Sequence, residues 1–281
     1  MTRDWTLSPQ QCHSAPHRTF VSTRDARHPA NTRNRLPMPL RLASCLCAAL
    51  LLIVLAAGGQ SAVPASGHWQ AVLAAGDRAE PVFDNAVAAL SSWLTSRGVL
   101  PGDIHRLSAN PARAELPAEP ASAQQLLRRI ASLPARPGDR CLIFITSHGE
   151  HGEGLVLAYA EEFLTPAALA NALSGGCATV PTVVIASGCY SGSFAAGRMP
   201  EPNRIIMTAA RADHPSFGCQ ADRTYTVFDE CLLAALPRSR LWRGVFDITN
   251  ACVRQREAEM RVLPSQPQHF YGERVRDLPV P

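Results

Sequence analysis

Two short stretches of this chain hold residues able to do covalent chemistry together: Thr146-Ser147-His148-Gly149 and Ser187-Gly188-Cys189-Tyr190-Ser191-Gly192-Ser193. A free thiol has a pKa of about 8.5, and its thiolate is the attacking species. An imidazole beside it can stabilise the thiolate or take the proton during attack, then protonate a leaving amine. Gly149 and Gly188 carry no Cβ, so main chain there can come close to a substrate. The amides of Gly149 and Cys189 are then candidate donors to a tetrahedral oxyanion. A serine-hydrolase elbow does not fit, because G-x-S-x-G needs serine second after the glycine, and Ser191 is third after Gly188. His151 and His214 are alternative bases, but neither directly follows an apolar run as His148 does.

That chemistry requires both turns to lie on one rim. Arg140–Thr146 (RCLIFIT) and Pro181–Ala186 (PTVVIA) are short continuous apolar runs, the pattern of strands covered on both faces. Active sites in open α/β sheets gather beyond the carboxyl ends of such strands. Further strands are expected at Trp69–Ala75, Asp103–Leu107 and Asn203–Ala209, with an edge strand at His269–Gly272. Helical spacing marks Val82–Ser96, Ser122–Leu133, Pro166–Leu173 (after a Thr165 cap), Tyr225–Leu236 and Val245–Met260. Pro111–Pro120 and the glycine-rich Gly149–Gly154 read as loops. Strands alternating with helices predict a single α/β domain, a mostly parallel sheet with helices on both faces.

The Ser-His-Gly turn after a strand, followed by Ala186-Ser187-Gly188-Cys189-Tyr190-Ser191-Gly192-Ser193, resembles the C13 (legumain) family of cysteine peptidases, bacterial type. Weaker similarities run from Trp69–Asp77 through Thr208-Ala209-Ala210, Ser216-Phe217-Gly218-Cys219 and Tyr225–Leu233 to Ser265-Gln266-Pro267-Gln268. The resemblance implies a caspase/legumain-like domain with about six strands and a His148–Cys189 dyad. It also implies endopeptidase cleavage of peptide or protein substrates, after Asn or Asp, with no cofactor or metal. Ser187, Ser216 and Asp229 fall at substrate-pocket positions of the family, and Asp77 at that of a residue orienting the histidine. For Asp229, an acid favoured at a helix N-terminus is the plainer alternative. Two departures weaken asparagine specificity. Ser187 stands where legumains carry an acid, and Glu80-Pro81-Val82-Phe83 replaces their Arg-His pair. The same dyad also suits transpeptidation, and a catalytically silent binding module is the reading from another class. No activation by removal of a C-terminal extension is expected.

Residues 1–62 carry 7 Arg against 2 Asp, and the remainder has 20 Arg against 21 acids, so the +4 charge belongs to the leader. A near-neutral body argues against nucleic acid as a partner. Residues 1–37 read as a non-structural extension. Residues 38–62 read as a signal peptide, with a basic start, an apolar run at Leu46–Ala57 and small residues after it. That run is short against the ~20 residues a spanning helix needs, so membrane association is expected only if the leader is retained as an anchor. The peptidase domain is then 63–281, exported to the periplasm or beyond. No C-x-x-C or C-x-x-H cluster suggests zinc. Cys141, Cys231 and Cys252 sit in apolar segments and read as small buried hydrophobes, leaving Cys177–Cys219 as the pair considered for a bridge.

Overall fold

The computed structural model describes residues 67–220 and 222–281; the expected extension and signal peptide lie outside them. Within the described residues, ten strands and five α-helices follow one another in the alternating order expected from the sequence. They are β1 Trp69–Ala75, α1 Val82–Ser96, β2 Ile104–Ser108, β3 Glu119–Pro120, α2 Ala123–Ala131, β4 Arg140–Thr146, β5 Gly149–Glu150 and β6 Gly154–Leu157. Then come β7 Glu162–Leu164, α3 Pro166–Gly176, β8 Thr182–Ser187, β9 Arg204–Thr208, α4 Val227–Ala235, α5 Trp242–Met260 and β10 Gln268–Tyr271. The main sheet has seven strands in the order β10-β9-β8-β4-β1-β2-β3. All its pairings are parallel except β10 on β9.

The side-chain period of two in a strand sends successive residues to opposite faces, and here each face has its own apolar layer. Leu73, Phe144, Ile185 and Met207 pack with α1, α4 and α5. Val72, Ile143, Val184 and Ile206 pack with α2 and α3. This explains why the central strands read as unbroken apolar runs. Helix starts follow local chemistry. The hydroxyls of Ser122, Thr165 and Thr226 each accept the main-chain N–H three residues on, capping α2, α3 and α4.

Two expectations are corrected. The glycine-rich stretch after His148 is no plain loop: β5, β6 and β7 form a separate three-stranded antiparallel sheet. Too few apolar positions alternate there to announce strands. The cysteines also pair differently. Cys141 bonds to Cys177, and Cys231 to Cys252. Cys177 is therefore not joined to Cys219, which is itself disulfide-bonded. An apolar context places a sulfur inside the protein equally well as a thiol or as half of a bridge. What decides is which second sulfur faces it across β4–α3 or α4–α5, a contact that sequence spacing does not contain. Among the described residues the free cysteine is Cys189.

Candidate active site

The strands β4 and β8 are neighbours, in register with Thr146 opposite Ser187. The ladder carries one residue further, Ser147 N–H donating to Ser187 O at 3.0 Å. His148 and Cys189 therefore leave the sheet side by side at its carboxyl rim. The two turns touch through their main chains. A Cβ on Gly149 would stand 1.9 Å from Cys189 O, and one on Gly188 2.7 Å from Ser147 O. Gly149→Ala is therefore expected to push the two turns apart and to lower the melting temperature, because the clash is with main chain that cannot swing away. An unchanged melting temperature in G149A would mean that the two turns do not depend on this contact.

Cys189 is half-buried, and Ser216 surrounds its sulfur. The Ser216 N–H donates to Sγ at 3.3 Å, its hydroxyl lies at 3.7 Å, and the thiol donates to Ser216 O at 3.5 Å. Burial pushes the thiol pKa up, the Ser216 contacts pull it down, and the Glu150 charge adds to the rise. His148 is 9% exposed, and its ring meets the Phe83 ring edge-on with centroids 5.2 Å apart. Burial lowers the imidazole pKa, while Asp77 and Glu80 favour the protonated ring. At neutral pH both groups thus rest uncharged.

The remaining residues expected at the site are placed as follows. Asp77 comes two residues after β1, whose last residue Ala75 pairs with Thr146, so it lies on the same rim. It is buried, accepts the Ala79 N–H at 2.7 Å and acts on His148 through its charge. Ser216 lies against the sulfur. Ser187 and Asp229 are both buried, and Asp229 is wholly closed off from solvent beneath the strand ends. Its Oδ2 accepts from the Thr146 hydroxyl at 2.6 Å. The Ser187 hydroxyl stands near enough to favour the charged carboxylate, yet Oδ1 has no partner in hydrogen-bond geometry. Burial outweighs these contacts and raises the Asp229 pKa to about 6. Thus Asp229 braces the β4 and β8 ends from below as well as starting α4.

Of the alternative bases, His214 pairs with Asp213 at 2.9 Å and gives its carbonyl to Tyr190 N–H at 2.8 Å. His151 lies exposed against the Tyr190 ring, centroids 5.3 Å apart. Sequence reasoning gave no role in the site to Glu80, Phe83, Glu150 or Tyr190. Tyr190 directly follows the cysteine with φ of 58°, a left-handed conformation unusual for a non-glycine residue and characteristic of functional turns. Among the described residues no group of three or more His, Cys, Asp or Glu is placed to hold a metal ion.

Comparison with known proteins agrees with this sheet architecture. Caspase-1 from Spodoptera frugiperda superposes with a TM-score of 0.53 at 13% identity, over 73% of this chain and 87% of that one, a likeness of fold. The particular relationship is given by sequence: residues 123–239 match the Peptidase C13 family, a span that includes His148, Cys189, Ser216 and Asp229. Together they give the chain a caspase-like α/β fold with a segment, residues 123–239, that is similar to the Peptidase C13 family. No curated protein matches the chain.

Proposed function

We propose that the protein is a cysteine endopeptidase in which Cys189 attacks the scissile carbonyl and His148 acts as general base, then general acid. The observation that carries this reading is the registered pair of turns, with the Gly149 main chain packed against that of Cys189. Since thiol and imidazole both rest neutral, His148 takes the proton as Sγ bonds to the carbonyl carbon; no standing ion pair is needed. The carbonyl π electrons move to oxygen, and the Gly149 and Cys189 amides are the proposed donors to that oxyanion. Collapse expels the amine, protonated by His148, and water hydrolyses the thioester by the same route. Asp77 holds the ring in its orientation and stabilises the transient imidazolium. Ser216 flanks the sulfur side of the proposed substrate pocket, with Asp or Asn as the proposed P1 residue, while Ser187 supports it from below beside Asp229. Asp229 lies too deep for direct contact without the pocket opening. The Cys141–Cys177 and Cys231–Cys252 disulfides support an oxidising compartment, consistent with export to the periplasm or the medium.

The test is cleavage of a peptide library before and after iodoacetamide, with the modified residue located by mass spectrometry. Loss of cleavage on modification of Cys189 is expected. The acid limb of kcat/KM is expected below pH 6.5, because burial lowers the His148 pKa and the base works only unprotonated. Full activity after alkylation of Cys189, or an acid limb above pH 7, would sink the assignment.

A further inference from the structure

We propose that Glu257 and the Ser265–Gln268 turn form a brace that positions the 211–216 loop, and through it Ser216, against the Cys189 thiol; this rests on Cys189 being the nucleophile. The inward stripe of α5 is Trp242, Val245, Phe246, Thr249, Val253 and then Glu257. An aliphatic side chain would continue it at no desolvation cost, yet a carboxylate stands there, 2% exposed. Glu257 Oε1 accepts the main-chain N–H of Ser265, itself 1% exposed, at 3.0 Å. Ser265 O accepts Arg211 N–H at 2.9 Å, and Arg211 Nη1 donates to Gln266 Oε1 at 2.9 Å. Gln266 holds a left-handed φ of 56°, a conformation that costs a non-glycine residue energy and needs such contacts to persist. At the turn's far end Gln268 N–H donates to the Thr208 hydroxyl, on the last residue of β9 before the loop, at 3.3 Å.

From Arg211 the order passes directly to the nucleophile. Arg211 O accepts His214 N–H at 3.1 Å, His214 O accepts Tyr190 N–H at 2.8 Å, and Ser216 N–H reaches Sγ at 3.3 Å. The turn after α5 thus fixes both the residue following the cysteine and the donor facing its sulfur. A carboxylate serving only to end α5 would contribute to stability and leave the thiol unaffected.

Glu257→Leu fills the volume and removes the acceptor; Glu257→Gln keeps an acceptor oxygen. In the full-length protein, iodoacetamide alkylation of Cys189 at pH 7.5 is expected to slow at least ~fivefold in E257L, because Ser216 no longer lowers the thiol pKa. With peptide, kcat is expected to fall at least ~tenfold in E257L, with E257Q within ~threefold of wild type for both. A folded E257L protein that alkylates at the wild-type rate or faster overturns the brace. Should E257L fail to fold, the exposed Gln266→Ala tests the same link, with at least ~threefold slower alkylation expected and an unchanged rate refuting it. If the wild type cleaves no peptide, the peptidase reading fails while the alkylation rate still decides the brace.

Discussion

Cys189→Ala is expected to lower kcat/KM on any cleaved peptide by at least ~1,000-fold, the scale seen when a covalent nucleophile is removed, while the melting temperature barely moves. Among the described residues the hydrogen-bond contacts of its sulfur are with Ser216, and it is half-buried, so little packing is lost. His148→Ala should cut activity to a similar extent but also destabilise the fold. Its ring is buried against Phe83, and truncating such a side chain costs ~1–3 kcal/mol. The double variant should be no less active than the weaker single one, because in the proposed mechanism the two groups act in one proton transfer and their losses do not add. Measuring kcat/KM and melting temperature for all three proteins separates these effects. A Cys189→Ala protein retaining a tenth of wild-type activity would leave a caspase-type binding module as the better description.

How much of this was legible beforehand depended on whether the deciding forces were local. The ends of β1, α1 and β4 agree with sequence expectation residue for residue, because a fully covered strand must be apolar throughout and an amphipathic helix periodic. Thr165 announced α3 through its own hydroxyl. The rim position of His148 and Cys189 was readable for the same reason, each turn being tied to an unmistakable strand. Asp229 was legible as important but not in its burial. Its place beneath Thr146 depends on α4 packing under β4, 83 residues away in sequence. The strands of the β5–β7 sheet could not be placed beforehand because they are two to four residues long and are held by pairing partners, with little alternation of their own. Nothing in its immediate sequence sets Glu257 apart on an Arg/Glu-rich helix. Only the inward phase of α5 distinguishes it.

The bridges, which sequence spacing misassigned, carry the second large expectation. Cys141–Cys177 closes 36 residues and ties the start of β4 to the end of α3; Cys231–Cys252 closes 21 and ties α4 to α5. In the chain-entropy account loops of these lengths each stabilise by about 3–4 kcal/mol, the longer slightly more. For a domain of this size each kcal/mol corresponds to about 2–4 °C in melting temperature. Converting Cys141 and Cys177 together to alanine should therefore lower it by roughly 10 °C, and converting Cys231 and Cys252 by slightly less. One bridge lies in each apolar layer, far enough apart for the losses to add. The bridges also staple opposite faces, so removing either should loosen that layer first, visible as faster amide exchange in α3 for one pair and in α4–α5 for the other. Cys189 takes part in neither, so the variants should keep wild-type alkylation rates well below their melting points. A drop under ~2 °C for both pairs would mean that the sheet holds its helices by packing alone, and a peptide map joining Cys177 to Cys219 would overturn the Cys141–Cys177 pairing.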